Sequence, residues 1–171
     1  MFAGWSDYFL LIGTAAATLI GLLFIVVSLT SGMEEKNPQG VKVFTTPVVF
    51  HLTMALTVSA LLLAPRPIYG PAGGLVALCA LIGLGYAVFV SIRLGAPGGV
   101  EPSHWSDVWF YGVTPGAIYL AMLGAAWTIG QASDAAPFFV GATLLALLLA
   151  SIRNAWDLIT WIAPRSKGPA G

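Results

Sequence analysis

Along the chain, long apolar runs are cut by proline, glycine and charge into five segments, at residues 8–31, 47–64, 70–92, 109–130 and 137–152 or beyond. Each is near the ~20 residues that a helix needs to cross the hydrocarbon of a bilayer. Lipid offers no partner to an unpaired backbone amide, so these runs must be helices, and they are too long and too evenly apolar to be barrel strands. The pattern predicts an all-α integral membrane protein, a bundle of five transmembrane helices in one domain at residues 1–164, with a short tail at 165–171. The turn residues Asn37-Pro38-Gln39-Gly40 place a loop across 32–46.

Basic residues gather on the cytoplasmic side of short loops. With the N-terminus outside, Lys36, Lys42, Arg93, Arg165 and Lys167 lie inside and only Arg66 outside, a bias of five to one. The expected orientation is therefore N-terminus outside and C-terminus cytoplasmic. The third and fifth segments, which run in the same direction, end in Ser91-Ile92-Arg93 and Ser151-Ile152-Arg153. Each places an arginine where the helix leaves the hydrocarbon. Trp5-Ser6-Asp7 and Trp105-Ser106-Asp107 precede the first and fourth segments, and each reads as an interfacial tryptophan followed by a helix cap.

Composition narrows the class. Of 171 residues 58% are hydrophobic and 8% charged, whereas a soluble domain carries about a quarter charged residues. The formal net charge is zero, which leaves no basic surface for nucleic acid. Cys79 is the single cysteine, so neither a disulfide nor a thiolate cluster can form within one chain. The first seven residues lack a basic leader, and the first apolar run is expected to stay as a membrane helix. Five helices with six tryptophans are similar in outline to the tryptophan-rich sensory proteins, but the Trp-Asn-Pro-Pro segment of that family is missing, and no family is assigned.

Small residues recur at four-residue spacing, which puts them on one helix face. The rows are Gly13, Ala17 and Gly21; Cys79, Gly83, Ala87 and Ser91; Gly112 and Gly116 beside Ala117, Ala121 and Ala125; and Ala142, Ala146 and Ala150 leading to Asn154. Small faces let backbones approach closely, which is how helices associate in lipid. There are more of them than one bundle needs, which suggests a homo-oligomer. In the second segment Thr46, Thr53 and Thr57 fall on one stripe with Ala60 and Ala64. Such a stripe either lines a polar path or bonds its hydroxyls back to the carbonyls one turn earlier. Pro115 should kink the fourth helix or mark its true start, leaving carbonyls in need of a partner.

Charges near hydrocarbon are candidate functional groups. His51, Arg93, Glu101, His104, Asp107, Arg153 and Asp157 are all expected near the cytoplasmic boundary. Arg153 and Asp157 pair one turn apart, and from Arg153 onward Arg153, Asn154, Asp157 and Thr160 form one side of a helix expected to run unbroken for ~27 residues, about 40 Å. Arg153, Asn154, Asp157 and His51 are the candidate gate or polar contacts, and Thr46, Thr53 and Thr57 the candidate pore lining. Glu101, His104 and Asp107 are weak metal candidates, because a three-residue spacing turns successive ligands by ~60° on a helix. No catalytic motif is present, so the reading leans away from an enzyme and no cofactor is expected; a metal-binding membrane protein, or a membrane enzyme whose site is assembled from separate helices, is the lesser alternative. The chemistry suggests a small homo-oligomeric pore or transport-type protein of the bacterial inner membrane, or else an accessory subunit that holds another membrane protein.

Overall fold

The computed structural model describes residues 2, 4–30, 38–65, 69–96 and 105–162. These form helices α1 (Ser6–Thr30), α2 (Pro38–Leu63), α3 (Tyr69–Gly95), a short α4 (Trp105–Asp107), a π-helical segment (Val108–Val113), α5 (Thr114–Gly130) and α6 (Ala136–Ile162). Among the described residues, five spans are long and apolar enough to cross a membrane: Ser6–Ser28, Thr45–Leu63, Pro71–Gly95, Val108–Gly130 and Ala136–Thr160. The chain is an all-helical, five-helix integral membrane protein.

Helix α2 begins at Pro38, inside the stretch expected to be a loop. A first-turn proline forfeits no intrahelical hydrogen bond, because the amide it lacks would have had no partner there. The apparent turn signal is thus a helix start. Pro47 lies inside the same helix, at the point where the hydrophobic run begins. At the other end of the chain, α6 runs unbroken for 27 residues, with Pro137 in its first turn, where a proline is tolerated, and no proline after it before Pro164.

The turn joining α5 to α6 has a local explanation. Ser133 N–H bonds Thr128 O at 3.1 Å and Ala132 N–H bonds Ile129 O at 2.9 Å, a pair of bonds that closes a helix C-terminus. Ala132 takes the left-handed conformation this closure requires, with φ 52°. Ala135 N–H then bonds Ser133 Oγ at 3.3 Å, just ahead of α6.

Helix α2 is central, packing on α1, α3 and α6, while α3 lies along α5 and α5 along α6. Small residues make the closest approaches. Gly83 of α3 faces the Tyr119 ring and Gly112 faces Ser91, and a Cβ on either glycine would overlap that neighbour. On Gly116 a Cβ would stand 3.7 Å from the Ala87 Cβ, and on Gly13 3.2 Å from the Ser59 Cβ. At one end of the bundle α1 is fastened to α6: Tyr8 Oη donates to Gly141 O at 3.0 Å, and the Trp5 and Phe138 rings meet edge-on at 4.6 Å.

The outward faces of α1, α3, α5 and α6 carry large apolar side chains, such as Leu11, Phe24, Ile82, Leu120 and Leu149. Helix α2 differs. Among its described side chains, from Thr45 onward, the exposed positions are Thr46, Thr53, Thr57 and Ala60, continued by Ala64 just past the helix end, with no large hydrophobic among them.

Candidate functional site

The polar groups inside the bundle gather where α2, the π segment, α5 and α6 meet. The cause starts at Pro115, which has no amide to donate. In the π segment ahead of it, the Thr114 N–H reaches back five residues to Trp109 O. The carbonyl of Phe110 is thus served by neither helical donor, since Thr114 is committed elsewhere and the next residue is the proline. A backbone oxygen in that position needs a side-chain partner. Asn154 of α6 supplies it, donating from Nδ2 to Phe110 O at 2.8 Å.

The contact is returned from the other side. Tyr111 Oη donates to the backbone carbonyl of Asn154 at 3.0 Å. Arg153 Nη1 donates to Asn154 Oδ1 at 3.1 Å and lies 3.6 Å from Asp157 Oδ2. The Arg153 guanidinium carbon stands 3.3 Å from the centroid of the Phe110 ring, a cation–π contact. Asn154 is only 1% exposed, while the side chains of Arg153 and Asp157 are 41% and 50% exposed. The buried amide is therefore tied to an ion pair at the rim, where solvent screening makes the pair itself weak.

Deeper in the bundle lies His51, 1% exposed. Its Nδ1 is 2.9 Å from Tyr119 Oη, joining α2 to α5. Its ring also lies against the backbone of Tyr111, although Nε2 makes no hydrogen bond of full geometry. Phe50 and Tyr86 flank it, with Tyr86 at 6.1 Å and an edge-on angle of 71°. Ser59, further along α2 and buried against Gly13, has no partner for Oγ. This interior is polar without net charge: hydroxyls, an amide and an imidazole. It can hold helices in register, and among the described residues it brings together no nucleophile, base and orienter in catalytic arrangement.

The sequence-derived candidates separate in space. His51 and Asn154 are buried, whereas Arg153 and Asp157 stand at the edge. Asn154 therefore lies on the packed side of α6 with Ala155 and Leu158, not on the outer side with Arg153 and Asp157 where its sequence position had placed it. The reason is the Phe110 carbonyl, which rewards a donor at that point. Thr53 and Thr57 face outward, and their hydroxyls bond back to Val49 O and Thr53 O, each at 2.8 Å. Thr46 is also exposed. Gly83 and Ala87 of α3 meet Gly112 of the π segment and Gly116 of α5 along one seam; Ala17, Gly21 and Ala142 face outward, and Ala146 and Ala150 are half-buried. Glu101 and His104 lie outside the described residues. Among those described, no three His, Cys, Asp or Glu side chains converge on one point.

Tyr111, Tyr119 and Phe110 were not anticipated from the sequence. Their signal was Pro115: a mid-span proline strips the carbonyl four residues earlier, that of Tyr111, of its helical donor, and the π register shifts the need to Phe110 as well. Comparison with protein-family models, with curated proteins and with solved structures finds no match.

Proposed function

We propose that the chain is one subunit of a homo-oligomeric, transport-type assembly of a bacterial inner membrane, with the outer face of α2 turned toward the neighbouring subunits. The observation that carries this reading is the composition of that face. Thr46, Thr53, Thr57, Ala60 and Ala64 stand where the other long helices present leucine, isoleucine, phenylalanine or tryptophan to lipid. A face of small residues gains little from acyl chains and much from another helix at close approach. Where subunits stay slightly apart, the threonine hydroxyls give a path between them its polar lining. Arg153 and Asp157 then lie at its cytoplasmic mouth, in the orientation favoured by the distribution of basic residues.

The test is thiol crosslinking in native membranes, in a Cys79→Ala background. Thr57→Cys should crosslink between copies, and Ile82→Cys, on the large-residue face of α3, should not. Native mass spectrometry from nanodiscs should show a closed homo-oligomer, and solute flux into proteoliposomes should fall when Thr53 and Thr57 are both replaced by leucine. A monomer that crosslinks at neither position overturns the reading. A stoichiometric second chain bound at Thr57 would also overturn it, in favour of an accessory subunit.

A further inference from the structure

Six residues before α5, Val108–Val113, are wound as a π-helix, a rare form frequently found at functional sites. We propose that this segment is a latched joint, in which the side-chain amide of Asn154 holds the π register and its release lets the segment rewind to the α register ahead of Pro115.

Three observations carry the proposal, and none depends on the assembly described above. The Thr114 N–H is committed to Trp109 O, and Pro115 has no N–H, so the π register leaves the Phe110 carbonyl dependent on a donor from another helix. Asn154 Nδ2 is that donor, at 2.8 Å, and the bond from Tyr111 Oη to Asn154 O closes a second link between the same two elements. Third, the latch has a handle. Arg153 Nη1 holds Asn154 Oδ1 and so fixes which end of the amide faces Phe110, while the guanidinium rests on the Phe110 ring.

In the α register the Thr114 N–H would serve Phe110 O itself, so the segment has a second hydrogen-bonded state available. Removing one residue from the winding turns everything before the joint by about 100°. Tyr111 would leave its place against α6, and the exposed Trp109 and Phe110 would move to new neighbours. The switch is thus set at the rim, by whatever competes for the Arg153 guanidinium, and read inside the bundle as a rotation of the start of the fourth span.

The test is amide hydrogen exchange by mass spectrometry on the full chain in nanodiscs, comparing four forms: the native chain, Asn154→Ala, Pro115→Ala, and the double variant. Asn154→Ala should speed exchange in the peptide covering 108–114 by about tenfold or more, the consequence of leaving a partly buried carbonyl unpaired, without change in α3. Arg153→Gln should give a smaller increase in the same peptide. Pro115→Ala restores a backbone donor in either register, so in that background Asn154→Ala should have little further effect. If Asn154→Ala alone fails to accumulate, recovery of the double variant supports the latch and equal failure of both overturns it. Unchanged exchange in Asn154→Ala, or the same acceleration with and without Pro115, overturns it as well.

Discussion

The ring of Tyr119 occupies the space that a Cβ on Gly83 would fill. The ring cannot retreat cheaply, because it is fully buried and its hydroxyl is held by His51. This single contact sets the spacing of α3 and α5 and, through the hydroxyl, the position of α2. It also makes the outcome of several substitutions definite.

Gly83→Ala should destabilise the bundle by about 1–3 kcal/mol, the range for overpacking a filled site, against the ~1 kcal/mol that alanine otherwise gains over glycine in a helix. Gly21→Ala, where a Cβ meets nothing within 4 Å, should be neutral or stabilising. Unfolding in mixed detergent micelles compares the two; equal effects would mean that α3 and α5 do not meet as closely as described.

His51 and Tyr119 should be energetically coupled. Tyr119→Phe and His51→Leu each leave the other buried group unpaired, so each should cost about 1–3 kcal/mol. The double variant should cost less than the sum by about 0.6–1.7 kcal/mol, the range of hydrogen bonds between membrane helices. Strict additivity in the double-mutant cycle would show that the 2.9 Å contact contributes no coupling.

Ala132→Gly should stabilise the chain by about 1 kcal/mol. Ala132 carries a φ of 52° at the α5–α6 turn, and an L-residue with a Cβ pays about 1–2 kcal/mol for that conformation where glycine does not. Thermal unfolding would register the gain, and a loss would mean that the turn does not hold this geometry.

Thr53→Val and Thr57→Val should each leave protomer stability within about 0.5 kcal/mol. Their hydroxyls bond only to carbonyls of their own helix, so no group elsewhere loses a partner. If these variants keep the native unfolding midpoint but change oligomer mass, the effect belongs to the face between subunits. A lowered midpoint would place the threonines inside the protomer.

The candidate site was legible in part. Asn154 and His51 stood out as polar residues in apolar surroundings, and Pro115 announced carbonyls in search of donors. What joined them was not legible, because a freed carbonyl specifies the need for a donor and not the helix that provides it. The separation of Asn154 from Arg153 was hidden for a related reason. Adjacent residues differ by about 100° around a helix, and which of the two turns inward depends on what α6 packs against.

The number of spans and their helical nature followed from the sequence alone, because lipid leaves backbone groups no solution except internal hydrogen bonding over a length set by the bilayer. So did the 27-residue length of α6, which no internal proline interrupts. The partners of the small faces, the outward turn of the α2 threonines and the joining of Pro115 to Asn154 were decided only by tertiary packing. Close approach between helices depends on matching two surfaces at once, and a linear pattern describes each surface without naming its mate.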